Sequence, residues 1–506
     1  MAQFNSYQKE IARLYLTSRN NISVMASAGS GKTTLLTGLA HRIKKPHSFC
    51  FLAFTQATAQ VLKKRLPKIE HSILTTYSLG YKNVRNYLEA DLEITVNANK
   101  SLDTFDHLLN TQEHWESDYL AATGSFLDNR IYEMKRQVVD LQKLSLLNCF
   151  IDYEDILEFA EQLNESWAYG SGQLQWMAKL AFSISKYNYE LLMDTGELDF
   201  QEMIAWPAMW DDLIPITFAE IFIDEFQDLS QAQQMLVFKS LQKDGQIIMV
   251  GDKSQAIYGF AGADHNSATN MAKLFNAVQM PMPINYRCSK AIIKHAQEID
   301  PVIQAHDQAP EGSVEELAES EALEHLLDNQ METLVVARTN LLLIKLALRL
   351  LQFDKPFTFR RDVLQERLNG LIGRATSANP KVPIESFNSW LEIQRAFAEE
   401  KRASTMMDLL DCLDVFYRAY RPKSWGAFKR SIKKFFTAAS KQSNLELSTI
   451  HAAKGSEAHT VIFWGTNYVP HRLSKTEAEL QQETNLEYIA RTRAIMRLIR
   501  VDLGDN

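Results

Sequence analysis

The chain has 506 residues, a formal net charge of -8, and 46% hydrophobic against 23% charged residues. That length exceeds one compact core, so several domains are expected, and the composition is ordinary for a globular protein. The acidic balance excludes a protein coated in basic surface but leaves room for a local basic groove. The N-terminus MAQFNSYQKE carries no apolar signal segment, and no apolar run is long enough to span a bilayer, so no membrane partner is expected. Cys50, Cys149, Cys288 and Cys412 fall in no metal-ligand spacing and read as reduced thiols of a cytoplasmic protein.

Upstream of the first strand, Gln8 has an amide that can donate and accept, as an adenine edge requires, though a surface Gln is the plainer reading. The stretch Asn21–Thr34, NISVMASAGSGKTT, comes next. Ile22, Val24 and Met25 fit a buried strand. The loop through Gly29, Ser30 and Gly31 succeeds it, and then a helix with Leu35, Leu36 and Leu39. Strand, glycine-bearing loop and helix form the phosphate-binding pattern. Glycine lets successive backbone N–H groups approach phosphate oxygens, and the helix N-terminus adds partial positive charge. Lys32 would reach the outer phosphates and Thr33 would ligate Mg²⁺. The alternative is a simple turn between a strand and a helix.

Residues 48–54 (SFCFLAF) and 72–77 read as two further strands. Their ends carry hydroxyls and aromatics, either to grip and stack a nucleic acid or only to cap the strand ends. From about 102 to 192 strands disappear and apolar residues recur at helical spacing. Trp115, Tyr119, Trp167 and Trp176 are expected in that core. Leu198-Asp199-Phe200 is expected to open a helix. Residues 219–224 (AEIFID) form a buried strand that ends in Asp224 and Glu225. One acid would hold Mg²⁺ and the other would orient or deprotonate a water. Residues 246–252 give another strand, leading to Gln255, placed to sense a terminal phosphate, and to Tyr258 and Phe260. The stretch 304–329 is acid-rich and reads as a solvated connector with a short helix.

A second α/β unit starts near Thr333, with a helix over 341–353, and is interrupted from about 361 to 442. Inside the interruption no acid occurs between Asp414 and Glu446. The stretch is basic and aromatic, including Trp425, Phe428, Lys429, Arg430, Lys433, Lys434, Phe435 and Phe436. A duplex or phosphate contact and an amphipathic helix with a solvated basic face fit it equally. Strands at 445–450, 460–464 and 497–503 and a helix at 483–494 complete the unit.

The ordered set Gln8, ASAGSGKT, AFTQATA, TTYSLG, LDF, IDEFQD, GDKSQAIYGFAGA, NYR, LSTIHAAKGSE and ETNLEYIARTRA resembles the UvrD/Rep/PcrA-type superfamily 1A DNA helicases. The resemblance implies an α/β fold of two RecA-like P-loop NTPase lobes, each with an inserted, mostly helical accessory domain. The domains expected are a first lobe (1–84 and 193–276), its insertion (85–192), a second lobe (277–360 and 443–506) and a reduced insertion (361–442). It implies ATP and Mg²⁺ as cofactors and single-stranded DNA and duplex junctions as partners. Gln8 then reads adenine and Tyr286 stacks on it, Glu457 contacts the ribose, and Ala28 to Thr34 wrap the phosphates. Lys32, Asp224, Glu225, Gln255, Arg287 and Arg493 serve hydrolysis. Phe54, Thr55, Thr75, Tyr77, Tyr258, Phe260, Thr449 and His451 occupy DNA-contacting positions.

Several positions depart from the family pattern: Tyr77 where His is common, Ala261 where Arg is usual, Ser456 for Leu, and Asn485 where Arg is frequent. The short second insertion is similar to the helicase-like subunit of the Gabija anti-phage system, which partners an OLD-family nuclease. Two functions are the resulting expectations: a 3′ to 5′ helicase in DNA repair or anti-phage defence, or a DNA-stimulated ATPase subunit that regulates a partner nuclease and unwinds little. A phosphate-loop kinase does not account for Arg287, Gln255 and the second lobe together.

Overall fold

Phe49–Ala53 is apolar at every position and buried at every position, as a strand covered on both faces of a parallel sheet must be. It is one of eight strands in the first of two units of the computed structural model, which describes residues 4–43, 48–88, 91–111, 114–124, 131–167, 169–259, 262–264, 266–328, 331–359, 364–377, 382–400, 404–439 and 443–504. One unit comprises 1–26 and 31–282, the other 27–30 and 283–506.

In the first unit the strands are β1 (Ile22–Ala26), β2 (Phe49–Ala53), β3 (Ile73–Thr75), β4 (Thr95–Val96), β5 (Glu197–Leu198), β6 (Phe218–Asp224), β7 (Leu241–Gly251) and β8 (Val278–Met282). Six of them form a parallel sheet in the order β3-β2-β6-β7-β1-β8, and β4 pairs with β5 alone. β8 carries Pro281, which an edge position tolerates because one row of its N–H groups has no ladder partner. The third expected strand stops at Thr75. Thr75 accepts the Ser78 N–H at 3.1 Å and caps a helix, so Tyr77 lies in the first turn of Thr76–Tyr87 and not at a strand end. The helix expected at Leu198-Asp199-Phe200 begins later, at Glu202, after β5.

Between β4 and β5 the described helices are Lys100–Thr111, His114–Thr123, Ile131–Leu147, Tyr153–Trp167 and Ser171–Thr195. Trp115, Tyr119 and Trp176 are in their core, as expected, with Trp115 edge-on to Trp176 at 6.4 Å. The side chain of Trp167 lies outside the described residues.

The second unit holds β9 (Ile284–Asn285), β10 (Gln304–Ala305), β11 (Ser313–Leu317), β12 (Thr333–Ala337), β13 (Thr358–Phe359), β14 (Leu445–Thr449), β15 (Ala458–Trp464) and β16 (Ala494–Val501). Its main sheet is parallel, in the order β11-β16-β15-β12-β14-β13. β11 corrects the expectation of a solvated connector at 304–329. Its acids are paired across the strand, Glu315 with Arg497 at 2.6 Å and Glu316 with Arg500 at 2.7 Å, so charge here marks an edge strand. Between β13 and β14 the described helices are Leu364–Ser377, Phe387–Glu400, Ser404–Tyr420 and Trp425–Ala438. Among the described residues, no helix is long and apolar enough to cross a membrane.

Candidate functional site

In the first unit β1 runs into a loop whose Gly31, at φ 87°, is in the left-handed region and caps the helix Lys32–Ala40. A Cβ on Gly31 would come within 3.0 Å of the Gln8 amide nitrogen. Gln8 is buried, and its Oε1 accepts the Asn5 N–H at 3.2 Å in a capping box, which leaves the amide nitrogen facing the loop. Thr34 is exposed one residue into the helix after Thr33.

The end of β6 supplies the acids. Lys32 Nζ lies 3.0 Å from Glu225 Oε1, and Thr33 Oγ1 donates to Asp224 Oδ2 at 3.1 Å. Burial opposes the Lys32 ammonium, but Glu225, Asp252 and Asp224 outweigh it and hold its pKa above the usual lysine value. Burial, then the neighbouring Glu225, push the Asp224 carboxyl up to about 6, against Lys32 and the Thr33 hydroxyl. Asp224 Oδ1 is buried and, among the described residues, has no hydrogen-bond partner.

Glu225 is held in the left-handed region at φ 59°, a strained conformation for a residue with a side chain. The Gln227 amide steadies it by donating to Glu225 Oε2 at 2.7 Å, while Gln227 Oε1 accepts the Asp252 N–H at 3.1 Å. Gln255, also buried, donates to Asp252 Oδ2 at 2.7 Å. A cation, a hydroxyl, three carboxylates and two amides thus converge at the ends of β1, β6 and β7.

These residues fit Mg²⁺. An unpartnered buried carboxylate oxygen beside a threonine hydroxyl offers two oxygen ligands, and Mg²⁺ takes its remaining ones from phosphate and water. Among the described residues, no cluster of three His, Cys, Asp or Glu could hold a metal by itself.

In the second unit, residues 27–30 are tied by their backbone. Asn285 Nδ2 donates to Ala28 O at 2.7 Å, the Ala28 N–H donates to the Tyr488 hydroxyl at 3.2 Å, and the Tyr286 N–H donates to Gly29 O at 3.0 Å. Gly29 is at φ 64°, where a Cβ would meet the Asn285 amide at 2.6 Å. Ser30 is fully buried. Tyr286 is 46% exposed, with its ring tilted against His306 at 4.7 Å. Arg287 Nε lies 2.5 Å from the half-exposed Glu457. Arg493 is buried, with its guanidinium on the carbonyls of Ile489 and Ser456, both at 3.2 Å.

A second feature of the first unit is an open groove of about 850 Å³ lined by Phe54, Thr55, Thr75, Tyr77, Phe200 and Lys82 among others. Four of the residues expected to touch DNA are gathered there. Tyr258 stacks on Phe54 with ring centres 5.5 Å apart, and Tyr77 stands edge-on to Phe200 at 6.3 Å. Thr55 and Thr75 also cap helices, accepting the N–H of Thr58 and Ser78 at 3.1 Å each. Phe260 and Ala261 lie outside the described residues. Thr449 and His451 belong to the second unit. Burial, then Arg338, lower the His451 pKa to about 4, so its imidazole is neutral near pH 7.

Phe200, Tyr81 and Lys82 in the groove were not expected from the sequence, nor were Gln227, Asn285, Tyr488 and Asp300 around the loops, where Asp300 Oδ2 accepts the Ser27 and Tyr488 hydroxyls at 3.4 and 3.3 Å. Phe200, Gln227, Asn285 and Tyr488 stand inside the motifs LDF, IDEFQD, NYR and LEYIARTRA, which were the available signal. Asp300 stands in none of them.

Residues 5–276 match the UvrD/REP helicase N-terminal domain and residues 360–501 the UvrD-like helicase C-terminal domain. The chain is 26% identical over 319 residues to the ATP-dependent DNA helicase PcrA of Bacillus subtilis, covering 59% of this chain and 39% of that protein. It is 26% identical over 300 residues to the ATP-dependent DNA helicase Rep of Buchnera aphidicola, covering 54% and 42%. PcrA of Staphylococcus epidermidis is 25% identical over 315 residues, covering 58% and 39%. The match spans about two fifths of the length of these relatives.

Proposed function

The chain belongs to the UvrD/Rep family of helicases, and we propose that it hydrolyses ATP to move along single-stranded DNA. The observation that carries this reading is the convergence of Lys32, Thr33, Asp224 and Glu225 at the ends of β1 and β6. In this reading Ala28 to Thr34 and Lys32 take the phosphates of ATP. Thr33 and Asp224 hold Mg²⁺, whose charge offsets the charge gathered on the phosphoryl group during transfer. Glu225 accepts a proton from the attacking water. Gln255 registers the terminal phosphate, Gln8 and Tyr286 hold the adenine, and Glu457 holds the ribose. Arg287 and Arg493 supply positive charge for the phosphates. The Arg493 guanidinium is also held on the carbonyls of Ser456 and Ile489.

The aromatic groove accepts unpaired bases by stacking, which every base offers and which tolerates any sequence. Tyr258, Phe260, Thr449 and His451 extend the strand contact. Movement is 3′ to 5′ and separates duplex at a junction, in repair or anti-phage defence. The relatives' names, ATP-dependent DNA helicases, support the reading.

A second reading is a DNA-stimulated ATPase subunit that regulates a partner nuclease, of the OLD family as in Gabija. The short second insertion, four described helices between β13 and β14, favours it. Steady-state ATP hydrolysis with and without single-stranded DNA, alongside unwinding of 3′-tailed and 5′-tailed duplexes, separates the two. Stimulated turnover with unwinding from the 3′ tail supports the motor. Stimulation without unwinding supports the regulatory subunit, and DNA-independent turnover overturns both.

A further inference from the structure

Next to the stacking groove lies a buried polar cluster that the hydrolysis mechanism does not use. Lys100 opens the helix Lys100–Thr111 and its side chain is 1% exposed, while Glu202 opens the helix Glu202–Met209 and is fully buried. Lys100 Nζ donates to Glu202 Oε2 at 2.9 Å and to the carbonyls of Asn188 and Glu197 at 2.7 and 2.6 Å, which occupies all three of its protons. Glu202 Oε2 also accepts the Asp199 N–H at 2.9 Å, and Asp199 Oδ1 accepts the Glu202 N–H at 2.9 Å. The two acids therefore clasp each other across Phe200 and Gln201. The other Asp199 oxygen accepts the Ser101 hydroxyl at 3.2 Å, and the Asn188 amide joins Ser101 and Thr104 at 3.1 and 2.6 Å.

The clasp encloses two residues, and both line the groove. Phe200 is 47% exposed, so its own burial does little to fix it, and beside its edge-on contact with Tyr77 the backbone of 199–202 sets where its ring begins. Stability alone does not account for the cluster. Desolvating an ammonium and a carboxylate costs several kcal/mol for each ion, and a well-packed apolar pair in the same space is commonly as stable or more so. An ion pair does fix directions, through hydrogen bonds that an apolar pair lacks.

We infer that Lys100 is a positioning residue for the groove. With Glu202 and Asp199 it fixes the 199–202 backbone and hence the Phe200 ring, and it ties that backbone to the helices Lys100–Thr111 and Ser171–Thr195 of the helical insertion. The functional part of the inference rests on reading the groove as a single-strand site.

The test uses the full chain with K100M/E202L, which leaves neither member of the pair as a lone buried charge, and separately D199A, which opens the clasp and keeps the pair. Melting temperature, DNA-free ATP turnover, oligothymidylate affinity and amide hydrogen exchange over residues 197–204 are measured. Expected are an intact melting transition, DNA-free turnover within about twofold, affinity weakened about fivefold or more, and faster exchange at 199–202. Unchanged exchange, or unchanged affinity, in a folded variant overturns the inference. Failure of both variants to fold assigns the cluster to stability alone and overturns it too. If the unaltered chain binds no oligothymidylate, the single-strand reading fails, and the exchange at 199–202 alone decides the positioning role.

Discussion

Lys32 Nζ and Glu225 Oε1 are 3.0 Å apart, so the cation assigned to the phosphates is paired with the carboxylate assigned to the water. A nucleotide's phosphates would compete for that ammonium and loosen its hold on Glu225, which the Gln227 amide still orients. Lys32→Ala removes the phosphate contact and leaves the groove untouched. ATP turnover should fall by about two orders of magnitude or more while oligothymidylate affinity stays within about twofold. Phosphate release and fluorescence anisotropy check the two halves, and retained turnover would sink the site assignment.

Asp224 gives a pH-dependent prediction. Its folded pKa, raised by burial and then by Glu225 to about 6, lies above the ordinary aspartate value of 3.8. The folded state therefore holds the proton more tightly, and the stability this contributes is complete below 3.8 and lost as pH rises through about 6. Asp224→Asn should raise the melting temperature at about pH 7.5 and change it little at about pH 4, while hydrolysis is abolished. Thermal melts across that range check it, and a variant that is no more stable at the higher pH would contradict the assigned shift.

The groove residues divide by what their side chains already do. Phe54 and Tyr77 present rings, so alanine at either should weaken oligothymidylate binding by about 1–3 kcal/mol. The hydroxyls of Thr55 and Thr75 are engaged as helix caps, so Thr55→Ala should cost about 1 kcal/mol of stability and less of affinity. Binding titrations beside denaturant melts on the same variants distinguish the two effects.

Much of this was legible because local chemistry dictated it. Gly29 and Gly31 stand where the chain needs positive φ, and Asp224-Glu225 come after an apolar run that can only be a buried strand. The illegible parts depend on residues far apart in the chain. Glu315 and Glu316 read as solvent-facing until Arg497 and Arg500 of β16 are seen beside them. Tyr77 reads as a strand end because the Thr75 cap that turns the chain into a helix looks like any strand threonine. Phe200 reads as a helix residue because the Asp199–Glu202 clasp that presents it depends on Lys100, a hundred positions earlier. Arg493 reads as a phosphate ligand from its motif, whereas its bonds to Ser456 and Ile489 depend on how the second unit packs.

The helix Trp425–Ala438 gives the last prediction. Phe428, Ile432, Phe435 and Phe436 are buried, so the apolar half of this stretch belongs to the core. Lys429, Arg430, Lys433 and Lys434 are exposed on the opposite side. Among the described residues none of the four forms an ion pair, so the face keeps its charge for a polyanion. Each cation that neutralises a phosphate contributes about 0.9 to the slope of log affinity against log salt for duplex DNA. Replacing all four with Ala should reduce that slope for a tailed duplex by about 2 or more and leave the melting temperature nearly unchanged, because no buried atom is removed. Binding of the tailed duplex across a salt series measures it, and an unaltered slope would mean that the face meets only water.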